Sequence, residues 1–212
     1  MTRPAKNSHA NSSPAPLQPG AAKEIKKHKS LSEYGSQLNL VLLDRDGVIN
    51  VESEQFIKSP EEWTALPGAI SAIASLQQTF RVAVCTNQSG LGRNLFSVHE
   101  LDAIHAKFQQ ALVRQGARPI DIFFCPHTPD QHCECRKPQP GLLTLAMQHV
   151  NTTPERTLFV GDSARDIHAG LAAGCHVALV HTGNGKQTSA QMPEVNAYRD
   201  LSALAQVLTA ID

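Results

Sequence analysis

Five short apolar runs, each ending abruptly in polar or glycine-bearing residues, constrain this chain more than any other feature. They lie at 38–43 before Asp44, 81–85 before Thr86, 120–124 before Cys125, 157–160 before Gly161, and 176–180 before His181. Nearly continuous apolar runs of this length read as strands buried on both faces. Between them lie helix-like segments at 68–78, 97–115, 140–150 and 164–173. The second carries Val98, Leu101, Ile104, Phe108 and Leu112 at helical spacing, and Ser97 with Glu100 three residues on forms a capping box. Strand and helix alternate, so the expected fold is α/β, a central parallel sheet covered on both faces by helices. Ligands of such sheets bind beyond the carboxyl ends of the strands, so chemistry is expected at those polar ends.

With 19 basic and 19 acidic residues the chain has no charge excess that would suit nucleic acid or a membrane surface. Residues 1–36 are uneven: six Lys/Arg stand against Glu24 and Glu33 among Pro, Ser and Ala. That composition buries too little to offset ordering, so a disordered basic extension is expected there, with a single domain over 37–212. No apolar run approaches the roughly 18 residues of a membrane span, and no apolar signal core follows the first basic residues. A soluble, cytoplasmic, monomeric protein is expected. Five cysteines, an odd number without an export signal, argue against a disulfide framework.

Four strand ends carry candidate chemistry. Asp44 and Asp46 flank Arg45 and precede Gly47, which lets the chain turn away. Thr86-Asn87-Gln88-Ser89-Gly90 supplies a hydroxyl, side-chain amides and backbone N–H groups suited to phosphate oxygens. Arg136 and Lys137 are fixed cations that can neutralise a phosphoryl group. Gly161-Asp162 followed by Asp166 adds hard carboxylate oxygens of the kind magnesium takes. Beside the cations, Cys125-Pro126-His127 and Cys133-Glu134-Cys135 give three thiols and an imidazole, a donor set for a closed, structural zinc site. His132 is the rival nitrogen ligand, but His127 repeats the alternate spacing of Cys133 and Cys135. Cys85 and Cys175 lie in apolar surroundings and read as small core residues.

In this order the four sites resemble the haloacid dehalogenase superfamily of phosphatases, over about residues 39–185. The resemblance implies a Rossmann-like three-layer sandwich in which Asp44 is the nucleophile and Asp46 the general acid/base. It places the phosphate-holding hydroxyl on Thr86, the cation on Lys137, and magnesium on Asp162, the Asp44 carboxylate and the Asp46 backbone carbonyl. Only about 17 residues separate Asn50 from Pro67, too few for more than a minimal cap.

With the cysteine cluster the chain resembles the zinc-loop subfamily, which includes phosphatases of heptose bisphosphates and of histidinol phosphate. The match includes Asp44 to Asn50, Thr86 to Gly90, and Cys133-x-Cys135-Arg136-Lys137-Pro138. It implies a substrate loop at Glu52, Ser53, Glu54 and Gln55, and an arginine, Arg93, for the phosphate that does not react. Gly92 and Asn94 flank Arg93 where the subfamily pattern has alanine and glycine. Ser89 and the Gly183-x-Gly185-Lys186 segment favour the heptose branch; histidinol phosphate is the alternative substrate. A receiver domain that keeps its phosphoryl group is an alternative of another class, but it has no use for an acid at Asp46. A zinc-stapled binding module has no use for the paired carboxylates.

Overall fold

The apolar runs form parallel strands whose side chains alternate between two helical layers. The computed structural model describes Leu31 and residues 35–210. The expected extension over 1–36 thus lies outside the described residues except for Leu31, Gly35 and Ser36. The strands are β1 (Leu40–Leu43), β2 (Arg81–Asn87), β3 (Asp121–Cys125), β4 (Thr157–Gly161), β5 (His176–Val180) and β6 (Ala197–Tyr198). They make one parallel sheet in the order β3-β2-β1-β4-β5-β6. The chain winds outward from β1 to one edge, then returns to β4 on the other side of β1. Reversal of this kind opens a crevice at the carboxyl ends of the two central strands.

Side-chain alternation separates the two cores. Val41, Leu43, Val82, Val84, Leu158, Val160, Ala178 and Val180 face one layer, made of α1 (Ala69–Leu76), α3 (Val98–Arg114) and α7 (Leu201–Thr209). Leu40, Leu42, Ala83, Cys85 and Phe159 face α4 (Gly141–Val150) and α5 (Ala164–Ala172). Val177 and Leu179 complete that second face with Met192 and Val195, beyond α6 (Gly185–Gln191). Both layers are therefore built by the period-two rule of a strand buried on both sides. Cys85 and Cys175 are buried in the second core, where loss of water pushes both thiols well above the ordinary range.

Several details depart from the sequence pattern. β1 starts at Leu40, because the Leu38 N–H closes a turn onto the Gly35 carbonyl at 3.1 Å. The helix α2 (Ser89–Gly92) is four residues long and holds two glycines, so no periodicity announces it. The polar α6 and the two-residue β6 are similarly silent. Helix α7 does carry a signal, Leu201, Leu204, Ala205 and Leu208 on one face behind an Asp200 cap. Among the described residues, 51–68 form a loop without a helix, so the crevice has no cap domain.

Two variants test this packing. Phe108 is fully buried, with its ring 5.7 Å from that of Trp63, so Phe108→Ala should cost about 3–5 kcal/mol of stability in a denaturant titration. The capping box at Ser97 is formed, with its side chain accepting from the Glu100 N–H at 3.2 Å. Ser97→Ala should cost only about 1 kcal/mol in the same assay.

Candidate active site

The first groups to meet at the crevice are those just beyond β1 and β4. Asp44 follows Leu43 without leaving the sheet, since its N–H still donates to the Val160 carbonyl at 2.9 Å. Its Oδ1 accepts from the Arg45 N–H at 2.7 Å and pairs with Lys137 Nζ at 2.8 Å. The other oxygen accepts no hydrogen bond among the described residues. Lys137 is buried and pairs also with Asp166 Oδ1 at 2.7 Å. Burial opposes the charged ammonium, but Asp166 and Asp44 outweigh it and raise the Lys137 pKa. Asp166 Oδ2 accepts from the Ser163 N–H and hydroxyl. Both Asp166 oxygens are thus engaged, and its work is to hold Lys137.

Asp162 lies beside this pair. Its Oδ2 accepts from the Asn184 N–H at 2.8 Å. A Cβ at Gly47 (φ +80°) or Gly183 (φ +55°) would collide with the Asp162 carboxylate, so both glycines are needed for close approach as well as for backbone conformation. Oxygens of Asp44, Asp162 and Asp166 lie within 4.8 Å of one another. Burial and the neighbouring carboxylates outweigh the pull of Lys137 and push Asp44 up to about 7. Burial, with Asp44 and Asp166, pushes Asp162 up to about 8. Three buried carboxylates against one ammonium leave negative charge uncompensated, which fits a hard divalent cation on Asp44 and Asp162.

Asp46 is held differently. Arg45 Nη2 meets Oδ1 at 3.0 Å and Oδ2 at 3.1 Å, Asn50 Nδ2 meets Oδ1 at 2.9 Å, and Gln88 Nε2 meets Oδ2 at 3.1 Å. Burial raises its pKa, but Arg45, Asn50 and Gln88 together bring it below the usual carboxylate range. Gln88 also donates to Thr86 Oγ1 at 2.9 Å, and the buried Arg45 reaches Gln88 Oε1 and His105 Nε2. Burial and the Arg45 charge lower His105 to about 4, so the ring is neutral.

A small pocket of about 70 Å³ is lined by Asp44, Asp46, Glu52, Thr86, Asn87, Lys137, Asp162 and Arg165. Residues named from the sequence on four separate strand ends therefore share one cavity. Asn87 exchanges hydrogen bonds of 3.1 Å with the Lys137 N–H and carbonyl, so its amide serves the lysine. Gln88 and Ser89 are buried, while Ser53, Glu54, Gln55 and Arg93 are exposed outside the pocket lining. Arg136 donates to the His127 carbonyl at 3.2 Å. Its burial, with Arg165 and Arg93 acting against the Cys125 thiol, lowers its pKa. The charges of Arg165, on the pocket lining, and of Arg93 both act on Arg136.

The donor atoms of Cys125, His127, Cys133 and Cys135 form a second cluster. Five of their separations run from 3.2 to 3.6 Å. Edges of about 3.5–3.8 Å surround a tetrahedral zinc, so this donor set fits that ion with slight contraction. His127 belongs to the cluster and His132 does not. Cys135 leads directly into Arg136 and Lys137, which ties the cluster to the pocket.

Sequence reasoning missed three contributors. Arg45 had a signal, a charged residue flanked by two aspartates after a buried strand. Arg165 stands in the first turn of α5, just after Asp162 at the end of β4, and reaches the pocket lining. Asn184 sits between two glycines after β5, a setting that marks close backbone approach.

A hydrolase-like family model of the HAD type matches residues 134–205. A D-glycero-beta-D-manno-heptose-1,7-bisphosphate 7-phosphatase of Bordetella bronchiseptica is 47% identical over 81% of this chain and 98% of its own length. One of Pseudomonas putida is 43% identical over 81% and 99%. The crystal structure of the D,D-heptose 1,7-bisphosphate phosphatase from B. bronchiseptica, complexed with magnesium and phosphate, superposes with a TM-score of 0.79. It shares 45% identity and covers 82% of this chain and all of that one. With that fold, this pocket and relatives matched over nearly their whole length, the chain belongs to the family of the D-glycero-beta-D-manno-heptose-1,7-bisphosphate 7-phosphatases, within the haloacid-dehalogenase-like hydrolases.

Proposed function

We propose that this protein hydrolyses the 7-phosphate of D-glycero-D-manno-heptose 1,7-bisphosphate through an aspartyl-phosphate on Asp44, supplying a precursor of activated heptose for lipopolysaccharide core. The observation that carries the chemistry is the state of Asp44. One oxygen is pinned by Lys137 and a backbone N–H, and the other has no hydrogen-bond partner among the described residues, on a pocket that also holds Thr86 and Asp162. Names of relatives that the chain matches over most of its length support the substrate. So does Arg165 on the pocket lining, with the charges of Arg136 and Arg93 acting nearby, which together suit a second phosphate and disfavour the amine of histidinol phosphate.

The carboxylates of Asp44 and Asp162 and the Asp46 carbonyl would hold magnesium, which supplies positive charge to the phosphoryl oxygens. Lys137 and the Thr86 hydroxyl orient those oxygens for in-line attack. Asp44 then attacks phosphorus while the ester P–O bond breaks, and Asp46 delivers a proton to the departing sugar oxygen. In the second step Asp46 takes a proton from water as it attacks phosphorus, and the bond to Asp44 breaks to release inorganic phosphate. To deliver a proton Asp46 must exchange some of its donors, since an anion held by Arg45, Asn50 and Gln88 is the resting form. We also assign structural zinc to Cys125, His127, Cys133 and Cys135, and its work is to fix the segment presenting Lys137.

Turnover with magnesium on the two substrates tests the assignment: kcat/KM should favour the heptose bisphosphate by about 10²-fold or more, and a preference for histidinol phosphate would overturn it. Asp44→Asn should lower kcat by at least about 10⁴-fold, the scale of a lost nucleophile. Thr86→Ala should lower it by about 10²-fold, the scale of one lost donor.

Metal analysis should find one zinc per chain. Stripping it with a zinc-selective chelator should lower both the melting temperature and kcat, with recovery on zinc and none on added magnesium.

A further inference from the structure

The loop after β1 reaches the pocket lining through Glu52, and the Val51 N–H donates to the Thr64 carbonyl at 3.0 Å at its base. Val51 to Gln55 are exposed. Among the described residues, 52–55 bond within 52–58, as from the Phe56 N–H to the Ser53 carbonyl and from Lys58 Nζ to the Gln55 carbonyl. One contact crosses the mouth, from Asn184 Nδ2 to Glu52 Oε2. The same nitrogen lies 3.5 Å from Asp162 Oδ2, which already accepts the Asn184 N–H. A neutral amide with two N–H groups is what allows two carboxylates to approach one point; a charged or apolar side chain there would either repel or release them.

The turn bearing Asn184 is unusually constrained. Gly183 has a positive φ and no room for a Cβ beside Asp162, and a Cβ on Gly185 would collide with the Val180 carbonyl. Thr182 Oγ1 donates to the Gly47 carbonyl at 2.6 Å, and Thr188 Oγ1 donates to the Asp162 carbonyl at 2.8 Å. So the turn is fastened to the segments after β1 and β4, while the Glu52 loop is fastened at its base by the Val51 N–H to the Thr64 carbonyl and, among the described residues, across the mouth by Asn184.

We propose that Asn184 is a positioning residue for substrate specificity: its side-chain amide clamps Glu52 across the pocket mouth and so sets the loop that meets the part of the substrate beyond the reacting phosphate. Glu52 lies on the pocket beside Arg165, whose charge acts on it. A carboxylate and a guanidinium side by side recognise hydroxyl groups next to an anion, the chemistry of a phosphorylated polyol. The proposal rests on the phosphatase reading above and adds the residue that poises its distal contacts.

Two measurements test it separately. Hydrogen exchange on the magnesium-loaded protein needs no substrate: amides of 52–56 should exchange faster in Asn184→Ala than in the parent, by about tenfold for one lost charge-assisted bond. Unchanged exchange there overturns the clamp, whatever the enzyme hydrolyses. Kinetics then compare heptose bisphosphate with p-nitrophenyl phosphate, which has no sugar hydroxyls. In Asn184→Ala the loss of kcat/KM should be about tenfold greater for the bisphosphate, chiefly in KM. Equal losses on both esters indicate a merely structural role and overturn the proposal. In a Glu52→Ala background Asn184→Ala should add little to that ratio, since the two act as one unit, whereas full additivity overturns the coupling. If exchange rises but the parent does not hydrolyse the bisphosphate, the substrate assignment fails and the clamp stands.

Discussion

Lys137 between Asp44 and Asp166 is the interaction on which the rest of the site depends. An ammonium taken out of water is costly unless its hydrogen-bonding capacity is met by charge, and two carboxylates at 2.8 and 2.7 Å meet it. The same ammonium gives the Asp44 carboxylate a fixed orientation and shields an incoming phosphate from it. Everything that steers Lys137 is consequently part of the machinery. Asn87, at the end of β2, clamps its backbone from one side. The cysteine–histidine cluster ends two residues before it and fixes it from the other. Asp166, held by Ser163, reaches it from the start of α5, so the segments after three separate strands converge on one cation.

That pairing leaves the carboxylates unequal, and the inequality divides the labour. Asp166 spends both oxygens on Lys137 and Ser163, so it is a support. Among the described residues, Asp44 and Asp162 each keep an oxygen free of hydrogen bonds, and both are driven toward the neutral form by burial and mutual repulsion. A divalent cation relieves that repulsion more effectively than a proton, because it can meet both at once. Asp46 is outside this repulsive group: Arg45 faces it at hydrogen-bond distance and holds it as an anion. The residue between the two aspartates of the motif thereby separates their chemistry. Two carboxylates two residues apart can serve as nucleophile and proton carrier because their environments differ.

Much of this was legible from residue patterns. Asp44, Thr86 and Asp162 directly follow apolar runs, and a parallel sheet gathers strand ends, so pattern brings those three together; Lys137 lies farther out, in the loop after β3 that the cysteine pairs mark. The donor spacing of Cys125, His127, Cys133 and Cys135 was equally readable, and geometry selected His127 over His132. What could not be read was the partner of each group. Asn87 and Gln88 looked like phosphate ligands, but their amides are engaged by Lys137 and by Asp46: half-buried Asn87 closes β2 against the Lys137 backbone, and Gln88, just beyond the strand, is buried. Asn184 contributes through its backbone N–H and an amide placed by two glycines, which no periodicity encodes. The short α2, α6 and β6 are set by packing and leave almost no local signature.

Register explains why the assembly tolerates so little slippage. Leu43 of β1 pairs with Val84 of β2 and with Val160 of β4. Asp44 therefore stands level with Cys85 and Gly161, and Thr86 and Asp162 stand one residue farther out on either side. A one-residue slip of β1 would turn Asp44 to the opposite face and drive Leu42 and Leu43 into the wrong cores. The burial of both faces forbids that slip, since Val41 and Leu43 fill one layer and Leu40 and Leu42 the other. Hydrophobic packing far from any polar chemistry thus fixes the depth of Asp44, the proposed nucleophile, to within the spacing that separates one residue from the next. Gly161, at the same level, has a Cα so close to Asp166 that any side chain would displace that carboxylate. The tight fit of the central strands and the charge balance around Lys137 are one constraint expressed at two scales.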